Sequence, residues 1–258
     1  ADAQIFTQGS TAYIGKYCPD HGFFKTIIWK GGIPIQKWVR KKERAYIENP
    51  STSVIKGCPF DCGLCSEHRQ HTCTALIEVT KRCNLHCSYC FADSGGKKEK
   101  DSSLETIRLQ YESVLKASGK CNIQLSGGEP TVRDDLTEII KLGKDMGFNF
   151  LQLNTNGIRL GEDENYVKDL KSAGLSSIYL QFDGTNDIIY KKLRGKELLK
   201  VKTIAVENCE KHGIGIVLVP TLVPGVNRDN IGEIIDFALE HAPGVRGVHF
   251  QPVSYFGR

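Results

Sequence analysis

From about residue 75 onward, short apolar runs alternate with stretches of helical periodicity, and turn or cap residues mark each junction. A chain with that rhythm builds a sheet covered by helices. Six strands are expected, at 75–80, 121–125, 148–154, 177–182, 215–221 and 247–252. The first helix carries an expected capping box at Ser102 and Glu105. Its apolar face is Leu104, Ile107, Tyr111, Val114 and Leu115, and Gly119 closes it. Further helices carry Leu136, Ile139 and Ile140 before Gly147, then Tyr166, Val167 and Leu170 before Gly174. The last two carry Leu198, Val201, Ile204 and Ala205 before Gly213, and Ile231, Ile234, Ile235 and Leu239. Six such units with right-handed crossovers give either an open doubly wound sheet or a curved, incomplete barrel, and periodicity does not choose. Both place functional groups at the carboxyl edge of the strands. Ser126-Gly127-Gly128-Glu129, Asn154-Thr155-Asn156-Gly157, Gln181-Phe182-Asp183-Gly184 and Gln251 all fall there.

Residues 1–74 read differently, with aromatic and Gly-rich segments, so the expected organisation is a small N-terminal module over 1–74 and an α/β domain over 75–258. The formal net charge of +4 without a basic tract gives no reason to expect nucleic acid. No apolar run is long enough to cross a membrane, the nearest being interrupted by Pro220 and Pro224, and the polar first residues give no reason to expect a signal peptide. The chain starts at Ala1 without Met and stops at Arg258, which reads as a fragment or a processed chain.

Seven of the ten cysteines lie between Cys58 and Cys90 at spacings that suggest metal rather than a disulfide framework. Such thiols must stay reduced, which implies a cytoplasmic, anaerobic setting. Cys83-x3-Cys87-x2-Cys90 directly follows the first strand. Three thiolates can hold three corners of a 4Fe-4S cube and leave the fourth iron open to a small molecule, whereas a zinc knuckle is the other reading of the motif. Cys58, Cys62 and Cys65 repeat the spacing and are followed by Cys73, so four thiols could close an auxiliary 4Fe-4S cluster. A four-thiolate zinc site is the alternative, and His68 or His71 could replace Cys73. Cys18 and His21 look like half of a rubredoxin-type or zinc-ribbon site for a single iron or zinc ion, whose other half would precede Ala1; the alternative is that both are ordinary residues. Cys121 and Cys209 are expected to be inert core thiols.

The Cys motif with Tyr89 before its third thiol, followed one unit later by "SGGEP", resembles the radical S-adenosylmethionine (SAM) superfamily over about residues 75–254. The resemblance implies a partial (β/α)6 TIM-like barrel. By position, Cys83, Cys87 and Cys90 would hold the cluster, and the amino and carboxylate groups of SAM would chelate its open iron. Gly127, Gly128 and Glu129 would meet the methionyl amino group, with the glycines allowing close backbone approach. Tyr89 and Phe91 would border the adenine, and Thr155, Asn156, Gln181 and Asp183 would reach ribose and carboxylate. Such a site cleaves SAM reductively, and the resulting 5′-deoxyadenosyl radical takes hydrogen from an unactivated C–H bond.

The order "KGCPFDCGLCSEHRQHTC", "VTKRCNLHCSYCF", "LSGGEPTVRDDL", "NTNGI" and "GLSSIYLQFDG" is similar to the tetraether lipid synthases, over about residues 12–258. That similarity implies carbon–carbon coupling of isoprenoid chains, a lipid substrate with peripheral membrane contact, and an electron donor such as ferredoxin or flavodoxin. A radical SAM methyltransferase acting on a pterin-like small molecule is the second enzymatic reading. An iron-sulfur electron carrier is the non-catalytic one, and it has no need of a methionyl-binding edge.

Overall fold

The computed structural model describes residues 3–37, 45–57, 60–61, 64–68, 70–90, 94 and 100–254. Cys58, Cys62 and Phe91 lie outside the described residues. By compactness the chain divides into Ala1–Ala45 and Tyr46–Arg258, so the stretch that carries Cys65 and Cys73 groups with the α/β domain. The division falls upstream of the expected boundary at 74/75.

The N-terminal unit is an antiparallel meander of β1 (Ala3–Gln8), β2 (Thr11–Cys18) and β3 (Gly22–Lys30). Sequence reading assigns no strands here; the three strands are largely exposed on both faces. Tight turns set the register: Gln8 pairs with Thr11 around Gly9, and Cys18 pairs with Gly22. Gly9 (φ 60°) and Gly22 (φ 79°) both occupy the left-handed region. Phe6 stacks on Tyr13, with ring centroids 5.6 Å apart.

The larger unit is built on a six-stranded sheet. Its strands are β4 (Thr74–Thr80), β5 (Asn122–Gly127), β6 (Leu151–Thr155), β7 (Ser177–Gln181), β8 (Gly215–Val219) and β10 (Val245–Val248), all parallel and in sequence order. That order resolves the topology. A doubly wound sheet reverses direction at a switch point, whereas right-handed crossovers that always advance the same way leave every helix on one face and curl the sheet. Ile77, Val79, Ile123, Leu125, Leu151, Leu153, Ile178, Leu180, Ile216 and Leu218 point to the helices and form the core with residues such as Ile107, Tyr111, Ile139 and Val167. The alternate positions Gln124, Ser126, Gln152, Asn154, Tyr179 and Gln181 occupy the opposite, concave face and are only half-buried.

The helices are α1 (Leu104–Ser118), α2 (Leu136–Asp145), α3 (Ile158–Glu162), α4 (Glu164–Ser172), α5 (Asp187–Arg194), α6 (Leu199–Lys211) and α7 (Ile231–Glu240). Several details differ from the sequence reading. The cap of α1 is Ser103, whose Oγ accepts from the Thr106 N–H at 3.1 Å, so Ser102 is not the capping residue. Residues 148–150 belong to the exit of α2: with Gly147 at φ 90°, the Phe148 N–H returns to the Gly143 carbonyl, and β6 starts only at Leu151. The fifth expected strand breaks at Pro220, which has no N–H for the ladder, and a two-residue continuation, β9 (Thr221–Leu222), pairs with β11 (Gln251–Pro252). Helix α5 is absent from the sequence reading. In α6 the buried face is Lys202, Ala205, Val206, Asn208 and Cys209, one position out of phase with the expected Val201 and Ile204.

Candidate active site

The loop after β4 carries Cys83, Cys87 and Cys90 at the carboxyl rim of the sheet. An apolar anchor holds it: Leu85 is buried against Tyr190 and Leu198, with Cys83 and Cys87 packed on the same cluster. The Ser88 N–H also donates to the Leu193 carbonyl at the end of α5 (3.3 Å). Burial raises the Cys83 thiol above its usual pKa, the Leu85 N–H on its sulfur opposes that, and Glu129, Cys87 and Cys90 add to the rise.

The second strand end docks against this loop by its backbone. Gly128 N–H donates to the Thr80 carbonyl (2.9 Å) and Glu129 N–H to the Arg82 carbonyl (2.8 Å). A Cβ on Gly127 would run into the Thr80 carbonyl oxygen, and one on Gly128 into that of Arg82; Gly127 also sits at φ 135°. The close approach these glycines permit is to the neighbouring loop, where the sequence reading expected a ligand. Glu129 is buried and its carboxylate is fully engaged. Oε1 accepts from Thr131 N–H (3.1 Å), Thr131 Oγ1 (2.7 Å) and Thr155 Oγ1 (2.7 Å), and Oε2 accepts from Asn156 N–H (2.6 Å). Asn156 in turn donates to Asn84 Oδ1 within the Cys loop (2.7 Å). Thr155 and Asn156 thus join the GGE turn to the Cys loop.

The fourth strand end departs further from expectation. Asp183 is buried and paired with Arg194, and it also accepts from the Thr221 N–H (3.1 Å). Its carboxylate is therefore committed inside the protein and does not reach into open space. The Gln181 amide oxygen, turned toward Arg194, accepts from the guanidinium at 3.1–3.2 Å. Arg194 also donates to the Tyr89 carbonyl (3.3 Å) and lies within reach of the Cys87 sulfur, so it ties α5 and β7 to the cluster loop. Tyr89 is about one-third exposed at the rim. Lys202 is fully buried beneath these groups, with Nζ donating to the Asn156 carbonyl (2.6 Å) and the Gln181 carbonyl (2.5 Å). Burial lowers its pKa to about 8, partly offset by Asp183. Sequence reasoning missed both Arg194 and Lys202. A lysine four residues from Leu198 on an apolar face was a signal; an arginine in a basic last helical turn was none.

Residues 77–238 match the family described as the Radical SAM superfamily. The chain belongs to the radical SAM superfamily. Residues 1–30 match a second family, the HMPTM N-terminal zinc ribbon domain. Over 99% of its length the chain is 48% identical to 7,8-dihydro-6-hydroxymethylpterin dimethyltransferase of Methanocaldococcus jannaschii, covering 51% of that protein. It is 32% identical to GTP 3',8-cyclase of Peptoclostridium acidaminophilum over 68% of the chain and 54% of the relative. The chain thus spans about half the length of the curated relatives it matches. Among solved structures it resembles Streptococcus suis SuiB bound to precursor peptide SuiA, at TM-score 0.60 and 16% identity over 72% of this chain and 40% of that one. It also resembles anSMEcpe with bound AdoMet, at TM-score 0.58 and 23% identity over 70% of this chain and 51% of that one. These likenesses confirm the barrel-like α/β fold.

The superfamily implies a 4Fe-4S cluster and SAM, and the donor set of this radical SAM chain suits them. Three thiols share one rim loop, with the Arg194 cation beside Cys87 to balance thiolate charge. In the N-terminal zinc ribbon unit, Cys18, Asp20 and His21 bring three ligand atoms within 4.8 Å of one another, and Cys18 Sγ lies 3.3 Å from His21 Nδ1. The remaining thiols lie elsewhere. The Cys65 backbone forms an isolated parallel β-bridge with Thr52, and Cys73 precedes β4 at the amino end of the sheet, away from the cluster loop. Cys209 is a core thiol raised to about 12 by burial, and Cys121 is partly buried against the same core, with burial also raising its thiol.

Proposed function

We propose that this protein is a radical SAM methyltransferase that acts on a pterin-like heterocycle. The observation that carries this reading is the concave face of the sheet. Gln124 donates to Gln152 (3.2 Å), Gln152 to Ser177 (3.4 Å) and Asn154 to Ser126 (3.3 Å), while Asn154 Oδ1 is buried without a partner among the described residues. A ladder of amides suits a planar molecule that both donates and accepts hydrogen bonds, whereas an isoprenoid chain offers Asn154 Oδ1 no donor. The named relative that aligns over nearly the whole chain, a pterin dimethyltransferase, supports the same reading. Coupling of lipid chains, the first sequence expectation, is set aside on these two grounds.

When bound, the cluster would supply the electron that breaks a carbon–sulfur bond of SAM. Cys83, Cys87 and Cys90 would hold it, Arg194 would position their loop, and the Gly127–Glu129 turn would bring the strand end against that loop. A ferredoxin or flavodoxin would serve as reductant. A second cluster held by thiols of the Cys58–Cys73 group would be auxiliary. No helix among the described residues is long and apolar enough to cross a membrane.

The test is anaerobic expression of the full-length protein in a bacterial host, followed by mass spectrometry of the host's pterins. Methylated pterins are expected with the wild type and should vanish with Cys87→Ala. In vitro, Gln152→Leu and Asn154→Leu should raise the pterin KM about tenfold, on the scale of one or two lost hydrogen bonds, with 5′-deoxyadenosine release in the absence of pterin unchanged. Labelled diether lipid converted in place of pterin would overturn the reading.

A further inference from the structure

The concave face carries one acid. Ile77 and Val79 of β4 are buried in the core, so Glu78 between them projects to the opposite face, where it is exposed. It forms no hydrogen bond or ion pair with the described residues. The strands β4 to β7 read TALIEVT, NIQLSG, LQLNT and SIYLQ, and Glu78 is their one charged side chain. Register fixes its neighbours. Glu78 pairs with Ser126, Asn154 donates to Ser126 Oγ (3.3 Å) and Asn154 pairs with Tyr179, so these four residues form one row across the sheet. With neighbouring strands about 4.8 Å apart, Glu78 and Asn154 stand roughly 10 Å apart along the row, room for a bicyclic heterocycle with a polar group at each end. The row lies close to the cluster loop, because Glu78 is two residues from the carboxyl end of β4 and five before Cys83.

We propose that Glu78 is the specificity-determining acid of this site and accepts the paired N–H donors of a 2-amino-4-oxopyrimidine ring. This deepens the reading of the substrate as a pterin-like heterocycle and rests on it. The 2-amino group and the adjacent ring N–H present two parallel donors in one plane, as a guanidinium does, and a carboxylate takes such a pair with both oxygens. Ser126 and Asn154 each offer a single acceptor oxygen beside a donor, so neither can do the same. Replacing the 2-amino group by oxygen sets a carbonyl against the carboxylate, lone pair to lone pair, and such a ring is rejected. An isoprenoid chain would cover the acid and give it no donor at all. SAM offers the carboxylate a sulfonium and ribose hydroxyls instead, and the experiment separates the two.

The full-length protein is loaded anaerobically with its cluster and left unreduced, so that nothing turns over. Equilibrium dialysis gives its affinity for SAM and, with SAM present, for 7,8-dihydro-6-hydroxymethylpterin and the 2-oxo counterpart of that pterin. The wild type should prefer the pterin to the 2-oxo compound by about tenfold or more. Glu78→Gln should weaken pterin binding by about tenfold or more and erase most of that preference, with SAM affinity unchanged. Equal affinity of the wild type for the two heterocycles overturns the assignment of Glu78 without any variant, so the test survives a variant that fails to fold. A pterin preference kept intact in Glu78→Gln, or a loss of SAM affinity in its place, also overturns that assignment alone. A loaded wild type that binds SAM but neither heterocycle overturns the pterin reading itself, and the assignment with it.

Discussion

Asp183 and Arg194 form a two-point ion pair, Nε to Oδ2 at 2.7 Å and Nη2 to Oδ1 at 2.8 Å, with both side chains almost wholly buried. Removing one member leaves the other charge buried alone, a change that destabilises by about 3–5 kcal/mol. Arg194→Met should therefore lower stability by that order in urea denaturation and weaken cluster retention, because the Tyr89 carbonyl loses its donor. Asp183→Asn combined with Arg194→Met should recover part of the stability, and a double variant no better than the single would contradict the pairing.

Gly128→Ala tests the docking of the GGE turn. Its methyl group would meet the Arg82 carbonyl, a backbone atom that cannot turn aside. A loss of about 2 kcal/mol or more is expected, with the Cys loop displaced. Loss of 5′-deoxyadenosine release should accompany it; wild-type stability and release would show that the loop accommodates the methyl.

Glu129→Gln replaces one acceptor oxygen by an amide nitrogen. Every partner of that carboxylate is a donor, so one orientation sets the new amide against the Asn156 N–H and the other against the Thr131 and Thr155 donors. A cost of about 2 kcal/mol is expected by thermal or chemical denaturation, and a neutral substitution would mean the carboxylate is not engaged as described.

Lys202 predicts a pH dependence. Its folded pKa, about 8, lies below the unfolded 10.5, so between these values the unfolded chain binds more protons and stability rises with pH. Below about pH 8 the burial penalty is carried in full. The difference in stability between wild type and Lys202→Met should therefore move in favour of the wild type by on the order of 3 kcal/mol from pH 8 to 10.5. Subtracting the variant removes other groups that titrate there; a flat difference would show that the ammonium is not buried.

Much was legible in the residues themselves. Apolar period and turn chemistry are local, so the six strands and most helices could be read, and three thiols with a GGEP turn at the right interval marked the cluster site. What remained hidden depends on contacts between distant segments. The α6 phase shifted because Lys202 found two backbone carbonyls at strand ends 21 and 46 residues away, which no local pattern encodes. Asp183 looked like a ligand-facing carboxylate until Arg194, 11 residues later, was brought back against it. Glu78 and Asn154 looked unrelated until parallel pairing set them on one row. By itself, the sequence determined the alternation of elements and the chemistry of the cluster loop, since both rest on short-range spacing. Only the tertiary structure decided barrel over doubly wound sheet, the polar character of the concave face and the pairing of remote charges, because each depends on which strand lies beside which.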